Sequence, residues 1–253
     1  MKGFFLIVMV IVSKNNPIVK ELASLKEKKG RRERGTFLVE GAKMVHECVN
    51  SALEIVRLVV REDYTGETYG LPTVVLGADA LRAVCDEKTP QGVCAEVKIP
   101  NVEVVPPKSK CLLLDGVADP ANIGAIVRTA VAAGYEEIYL ADCADPYAPK
   151  AVRASMSGVF FAKLMQGNRD ELLGALKDIP LVAADMDGEN VFSFTPPEKF
   201  CIAIGNEGNG LSDEVKHWAK HTVKIPMGPH TESLNAAVSA GIMMYVLKSK
   251  SQL

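Results

Sequence analysis

Cys-Ile-Ala-Ile-Gly-Asn-Glu-Gly-Asn-Gly-Leu-Ser, residues 201–212, is the stretch that decides the fold. Its apolar opening reads as a short buried strand, and residues 211–220 after it read as a helix. Between them lie Gly205, Gly208 and Gly210. Glycine permits positive φ and close backbone approach, so a flat base could pack on exposed amides here; a tight structural turn would use the same residues. The spacing is not the Gly-x-Gly-x-x-Gly of dinucleotide folds. The Lys-Ser/Thr pair of a P-loop is also missing.

Working outward, apolar runs predict further strands at 111–115, 137–141, 181–185 and 222–225. Helices are expected at 122–133, 150–160, 169–177 and 233–248. Short apolar strands separated by helices predict an α/β domain with a mostly parallel, buried sheet. Ligands of such sheets sit at the carboxyl ends of strands. Two more polar segments fall at such ends, at 122–130 (Asn-Ile-Gly-Ala-Ile-Val-Arg-Thr-Ala) and 225–235 (Ile-Pro-Met-Gly-Pro-His-Thr-Glu-Ser-Leu-Asn). In the first, Arg128 stands among Ile123, Ala125, Ile126 and Val127. It is either a solvent-side residue or a cation aimed at the cleft. In the second, Pro226 stiffens a strand end and Met227 offers an adaptable apolar wall. Ser233 and Asn235 open a helix, where capping and ligand contact are both open to them. The small side chains of Ala236, Ala237, Ser239, Ala240 and Gly241 suit close packing against another helix or a partner subunit.

The first hundred residues alternate similarly. Asn16-Pro17 is a helix start, with Ile18, Val19, Leu22 and Leu25 forming one stripe and Gly30 a plausible stop. Strands are expected at 36–39, 55–60, 74–76 and 93–97, and helices at 41–49 and 78–85. Four segments follow: an apolar extension at 1–12, a smaller α/β domain at 13–99, a proline-containing linker at 100–110 and the larger domain at 111–253. The apolar run at 3–12 is too short for a spanning helix, which needs about 20 residues, so no membrane association is expected. Met9 is the expected natural start, with residues 1–8 an upstream extension.

The net charge of −2 gives no global nucleic-acid signature, but its distribution is uneven. Residues 1–110 hold 17 Lys/Arg against 14 Asp/Glu, and residues 111–253 hold 12 against 17. Within 14–34 eight basic residues face three acidic ones, which suits a phosphate backbone or a solvated helix face. The six scattered cysteines and four histidines form no metal-ligand spacing, so no metal is expected, and free thiols fit a cytoplasmic protein.

Taken together and in order, Asn-x-Gly-x-x-x-Arg-Thr-Ala, Gly-Asn-Glu-Gly-x-Gly-Leu and Ile-Pro-Met…Ser-Leu-Asn resemble the three motifs of the SpoU (TrmH) branch of the SPOUT RNA 2′-O-ribose methyltransferases. Ser13-Lys-Asn-Asn-Pro17 and Gly35-Thr-Phe-Leu-Val-Glu-Gly41 look like the substrate-binding domain of its ribosomal-RNA members. The resemblance implies a deep trefoil knot in the larger domain and a homodimer with the active site at its interface. It implies methyl transfer from S-adenosylmethionine to a ribose 2′-hydroxyl, in ribosomal RNA above all. Arg128 would act at the acceptor hydroxyl, with Asn122, Glu207, Ser233 and Asn235 completing the catalytic set. Gly205, Ile225 and Leu234 would hold the cofactor by main-chain contacts, with Asn206, Gly208 and Met227 in the same set. Lys14, Lys20, Arg31, Arg32 and Arg34 would bind RNA. Transfer RNA as substrate, or a non-catalytic RNA-binding assembly protein on this scaffold, are the alternatives.

Overall fold

A computed structural model describes residues 9–231 and 233–250. The upstream extension expected at 1–8 lies outside the described residues. The chain forms two compact units, Met1–Pro100 with Tyr147–Pro149, and Asn101–Pro146 with Lys150–Leu253.

In the first unit, β1 (Val10–Ile11), β2 (Thr36–Glu40), β3 (Ile55–Arg61), β4 (Thr73–Leu76) and β5 (Val93–Lys98) form one sheet of order β1-β4-β3-β5-β2. β4 is parallel to β1 and β3, while β5 runs antiparallel to β3 and β2. Helices α1 (Pro17–Ser24), α2 (Lys28–Arg34), α3 (Ala42–Val49) and α4 (Ala78–Val84) accompany it. Asn16 caps α1 by accepting from the Ile18 amide at 2.9 Å. Val19, Leu22 and Leu25 then enter a core with Leu38, Val59, Leu76 and Leu81.

Two expectations are corrected here. Gly30 is not a helix stop but lies inside α2, where the close approach of the Ser24 carbonyl oxygen, 2.1 Å from the place a Cβ would take, calls for a glycine. The stop is Gly35, at φ 65°. Residues 10 and 11, placed with the extension, belong to the sheet and pair with Val75 and Leu76.

The second unit carries a six-stranded parallel sheet of order β11-β9-β10-β6-β7-β8. Its strands are β6 (Cys111–Asp115), β7 (Glu137–Ala141), β8 (Lys163–Gly167), β9 (Leu181–Asn190), β10 (Cys201–Gly205) and β11 (His221–Lys224). All of β6 and β7 is buried, as a strand covered on both faces must be. Cys111, Leu113, Cys201 and Ala203 share one face, which packs on Leu172, Leu173, Leu211 and Val215. That layer belongs to α7 (Arg169–Ala175), to α8 (Asp213–Trp218) and to Leu211 just before α8. The alternate residues point to the opposite face, where α5 (Pro120–Ala133) packs on α9 (Ala236–Lys250). Gly124 lets α5 approach α6 (Pro149–Ser155), since a Cβ would meet the Ala151 oxygen at 2.2 Å.

The helix expected at 150–160 breaks at Met156 and Ser157, both at positive φ, and continues as a 3-10 turn at Gly158–Phe160. The proline-containing segment is not a free linker. Val102 and Val104 pack on the second unit's core, and the Tyr139 hydroxyl donates to the Val105 oxygen at 2.7 Å. The chain runs outward through β6, β7 and β8, then builds β9, β10 and β11 on the other side. The order therefore reverses between β6 and β10, where Asp115 and Gly205 are register partners at the carboxyl ends. In parallel sheets this reversal opens a crevice.

Candidate active site

At that crevice the loop after β10 folds back on itself. Asn206 and Gly210 exchange two backbone hydrogen bonds of 2.9 and 3.0 Å. The Asn206 side chain accepts from the amides of Gly208 and Asn209 and donates to the Gly116 oxygen at 2.8 Å. Gly205 is required by contact. A Cβ there would stand 2.2 Å from the Gly210 carbonyl carbon. Gly208 is not so confined, its nearest neighbour being the Asn206 Oδ1 at 3.6 Å. Asp115, almost wholly buried, fixes the far side of the loop. One oxygen accepts from the Ser212 amide at 2.7 Å and the other from Arg169 Nε at 2.7 Å. Arg169 also pairs with Asp142.

Asn122, Glu207 and Asn235, from three separate motifs, form one chain of hydrogen bonds. Asn235 Nδ2 donates to Asn122 Oδ1 at 3.0 Å, and Asn122 Nδ2 donates to Glu207 Oε1 at 2.8 Å. Glu207 also accepts from the amides of Ala118 and Asp119 at 3.1 and 3.3 Å. Partial burial pushes the Glu207 carboxyl up, but Asn122 and these amides outweigh it and hold the group below its ordinary value. Glu207 is thus an ionised clasp. Asn235 does two jobs, since its Oδ1 also caps α9 through the Ala237 amide at 2.9 Å.

The segment after β11 presents an amphipathic surface. Met227 and Leu234 are each 37% exposed. Among the described residues, the main chains of Ile225, Met227 and Leu234 make no intrachain hydrogen bond. Free amides and carbonyls beside apolar side chains fit a ligand with a flat apolar face and a hydrogen-bonding edge, as an adenine has.

Arg128 and Ser233 stand apart from the clasp. Both are exposed, and neither side chain has a hydrogen-bond or ion-pair partner among the described residues. Arg128 lies six residues beyond Asn122 on α5, about 9 Å along the axis and about 120° around it. Gly158 packs against the Arg128 backbone, where a Cβ would be 3.0 Å from its Cα.

In the first unit Lys14, Lys20 and Arg32 are exposed. Arg31 is a correction: it is 3% exposed, and its guanidinium donates to the Leu25 and Lys26 oxygens at 2.8 Å. Arg34 is engaged by Glu21 at 2.6 Å and Glu96 at 3.2 Å. Asp115 and Arg169 were not singled out in the sequence. An acidic residue ending an otherwise apolar strand was the available signal for Asp115; nothing local marked Arg169. Among the described residues no grouping of His, Cys, Asp and Glu could hold a metal ion. Nor is any described helix long and apolar enough to cross a membrane.

Residues 109–245, more than half of the chain, match the SpoU rRNA Methylase family. The chain belongs to that family. Residues 16–95 match the MRM3-like substrate binding domain. Over 245 residues the chain is 30% identical to the 23S rRNA (guanosine(2553)-2′-O)-methyltransferase RlmP of Bacillus subtilis, covering 94% of this chain and 98% of that one. It is also 30% identical to the 23S rRNA (adenosine(1067)-2′-O)-methyltransferase of Streptomyces laurentii, with 93% and 94% covered. An AdoMet-bound rRNA methyltransferase from Sinorhizobium meliloti superposes with a TM-score of 0.87 at 26% identity, covering 95% of this chain and 97% of that one.

Proposed function

We propose that this member of the SpoU rRNA methylase family transfers a methyl group from S-adenosylmethionine to a ribose 2′-hydroxyl of large-subunit ribosomal RNA. The observation that carries the reading is the Asn122–Glu207–Asn235 chain, which draws three separated motifs into one site at the carboxyl ends of β6 and β10. Relatives along nearly the whole chain are named as 23S rRNA 2′-O-methyltransferases.

The main chains of Ile225, Met227 and Leu234, the walls of Met227 and Leu234, and the 205–210 loop hold the cofactor. Bound there, S-adenosylmethionine would offer its sulfonium methyl to the ribose oxygen: the S–CH3 bond would break as the O–CH3 bond formed, leaving the thioether, and the hydroxyl proton would pass to solvent. Glu207 is a positioning residue, since its bonds join the loop to Asn122 and to the Ala118 and Asp119 amides that precede α5. Arg128 supplies a cation at the acceptor, because a guanidinium is a permanent charge rather than a base. Its distance from Asn122 along α5 supports an acceptor site completed by a second subunit. Val238 and Tyr245, two turns apart on α9 and each 51% exposed, support a homodimer on that face. A trefoil knot fits the path from β11 at the sheet edge back to α9 beside β10 and α5. The first unit binds RNA through Lys14, Lys20 and Arg32, and the protein acts in the cytoplasm, where ribosomal RNA is.

The test compares ribose methylation across ribosomal RNA from cells with and without this protein. Loss of one 2′-O-methyl in the large-subunit RNA is the expected result. An unchanged ribose-methylation map would refute the proposal.

A further inference from the structure

A second cleft lies at the other end of the parallel sheet. Its floor is Leu176, Ile179 and Leu181, and its rim carries Trp218, Lys177, His217 and Lys220. The volume is about 360 Å³, the scale of one nucleotide rather than of an extended ligand. Leu181 begins β9, and the Lys220 amide donates to its oxygen at 2.9 Å, which fixes the cleft at the amino ends of the strands. Gly205 lies four residues up the neighbouring strand from Cys201, the register partner of Leu181. The cleft and the cofactor loop are therefore separated by about 13 Å along the sheet.

Two features need a joint explanation. Trp218 is the chain's only tryptophan and is 41% exposed, above an apolar floor. Lys177 and Lys220 are exposed and, among the described residues, have no ion-pair partner; the nearby Lys216 is held by Asp185 at 2.9 Å. Cations near the carboxyl ends of α7 and α8 complement the helix dipoles. That accounts for the charges but not for an aromatic face left in water. An indole beside an apolar floor, ringed by cations, is the chemistry that stacks a base and holds its phosphates.

We propose that this cleft is a second RNA contact, in which one unpaired nucleotide of the substrate stacks on Trp218 while Lys177 and Lys220 hold its flanking phosphates. The proposal rests on the RNA-methyltransferase reading and names how that substrate is held away from the reacting nucleotide.

The only tryptophan makes the full-length protein its own reporter. Trp218 emission is followed while the protein is titrated with a short unstructured oligouridylate. Fluorescence anisotropy of end-labelled oligomer gives the affinity independently, and calorimetry gives the affinity for S-adenosylmethionine. Saturable quenching at the anisotropy midpoint is expected. In K177E/K220E the slope of log affinity against log salt should fall by about 1.4, at about 0.7 for each phosphate released from a single strand. S-adenosylmethionine affinity should not change. Trp218→Ala should weaken the oligomer about fivefold or more. Oligomer binding with unchanged emission and an unchanged salt slope would overturn the proposal and leave the methyltransferase reading standing. Absence of any oligomer binding would also overturn it, while S-adenosylmethionine calorimetry would still report on that reading. Uridine monophosphate binding as tightly as the oligomer would replace RNA with a free nucleotide.

Discussion

Replacing Gly205 with alanine places a Cβ 2.2 Å from the Gly210 carbonyl carbon, 2.3 Å from the Leu211 amide nitrogen and 2.4 Å from the Gly210 oxygen. All three are backbone atoms, so no side chain can rotate away. Ordinary contact begins at 3.4 Å, so the loop must retreat by about 1.2 Å. The two bonds between Asn206 and Gly210 are the first to go, at about 1 kcal/mol each. Gly205→Ala should therefore cost about 2 kcal/mol in urea unfolding. A displacement of about 1 Å in a preorganised site costs about a hundredfold in rate, so methyl transfer should fall on that scale, and calorimetry should show weakened S-adenosylmethionine binding. Gly208→Ala is the control. Its Cβ meets only the Asn206 Oδ1, at 3.6 Å, and both stability and affinity should stay near wild type. If Gly205→Ala unfolds at the wild-type midpoint and binds the cofactor normally, the close approach constrains nothing and the loop is not the cradle.

Arg128→Ala should abolish methyl transfer in a labelled-methyl assay yet leave calorimetric cofactor affinity nearly unchanged, because its side chain has no intrachain partner among the described residues. Glu207 has its carboxyl held below the ordinary value, so the stability it contributes is present above that ordinary value and is lost as pH falls through the lowered one. Glu207→Gln should cost about 1 kcal/mol at neutral pH, discounted for exposure, and nothing in acid; unfolding curves across that range check the sign. Glu96 is fully buried and accepts from Arg57 at 2.6 Å, Thr36 at 2.8 Å and Arg34 at 3.2 Å. Glu96→Gln leaves Arg34 and Arg57 with Glu21 as their remaining counter-charge and weakens the charge-assisted hydrogen bonds to the buried position, and should cost about 2 kcal/mol in denaturant unfolding.

The interior strands were legible because burial on both faces demands continuous apolar runs, as in β6, β7 and β10. Edge strands are under no such demand. Lys163-Leu-Met-Gln-Gly carries polar residues at its exposed positions, and Val10–Ile11 pairs over two residues only, so neither announced itself. Arg31 shows the limit of reading charge from composition. A basic run predicts solvated guanidinium groups, yet the turn between α1 and α2 offers the Leu25 and Lys26 carbonyls and draws this one inward. At the site, Asn122, Glu207 and Asn235 were nameable as polar residues at strand ends, but their bonding to one another depends on the fold. The supporting pair Asp115 and Arg169, 54 residues apart, was invisible for the same reason.

The most direct measurement is of the product. Purified protein, ribosomal RNA lacking the modification and isotope-labelled S-adenosylmethionine are combined, and the RNA is digested to nucleosides for mass spectrometry. The account predicts label on the ribose of one large-subunit nucleotide, absent with Arg128→Ala. Label on a base, or no transfer by a protein that binds the cofactor, would contradict it.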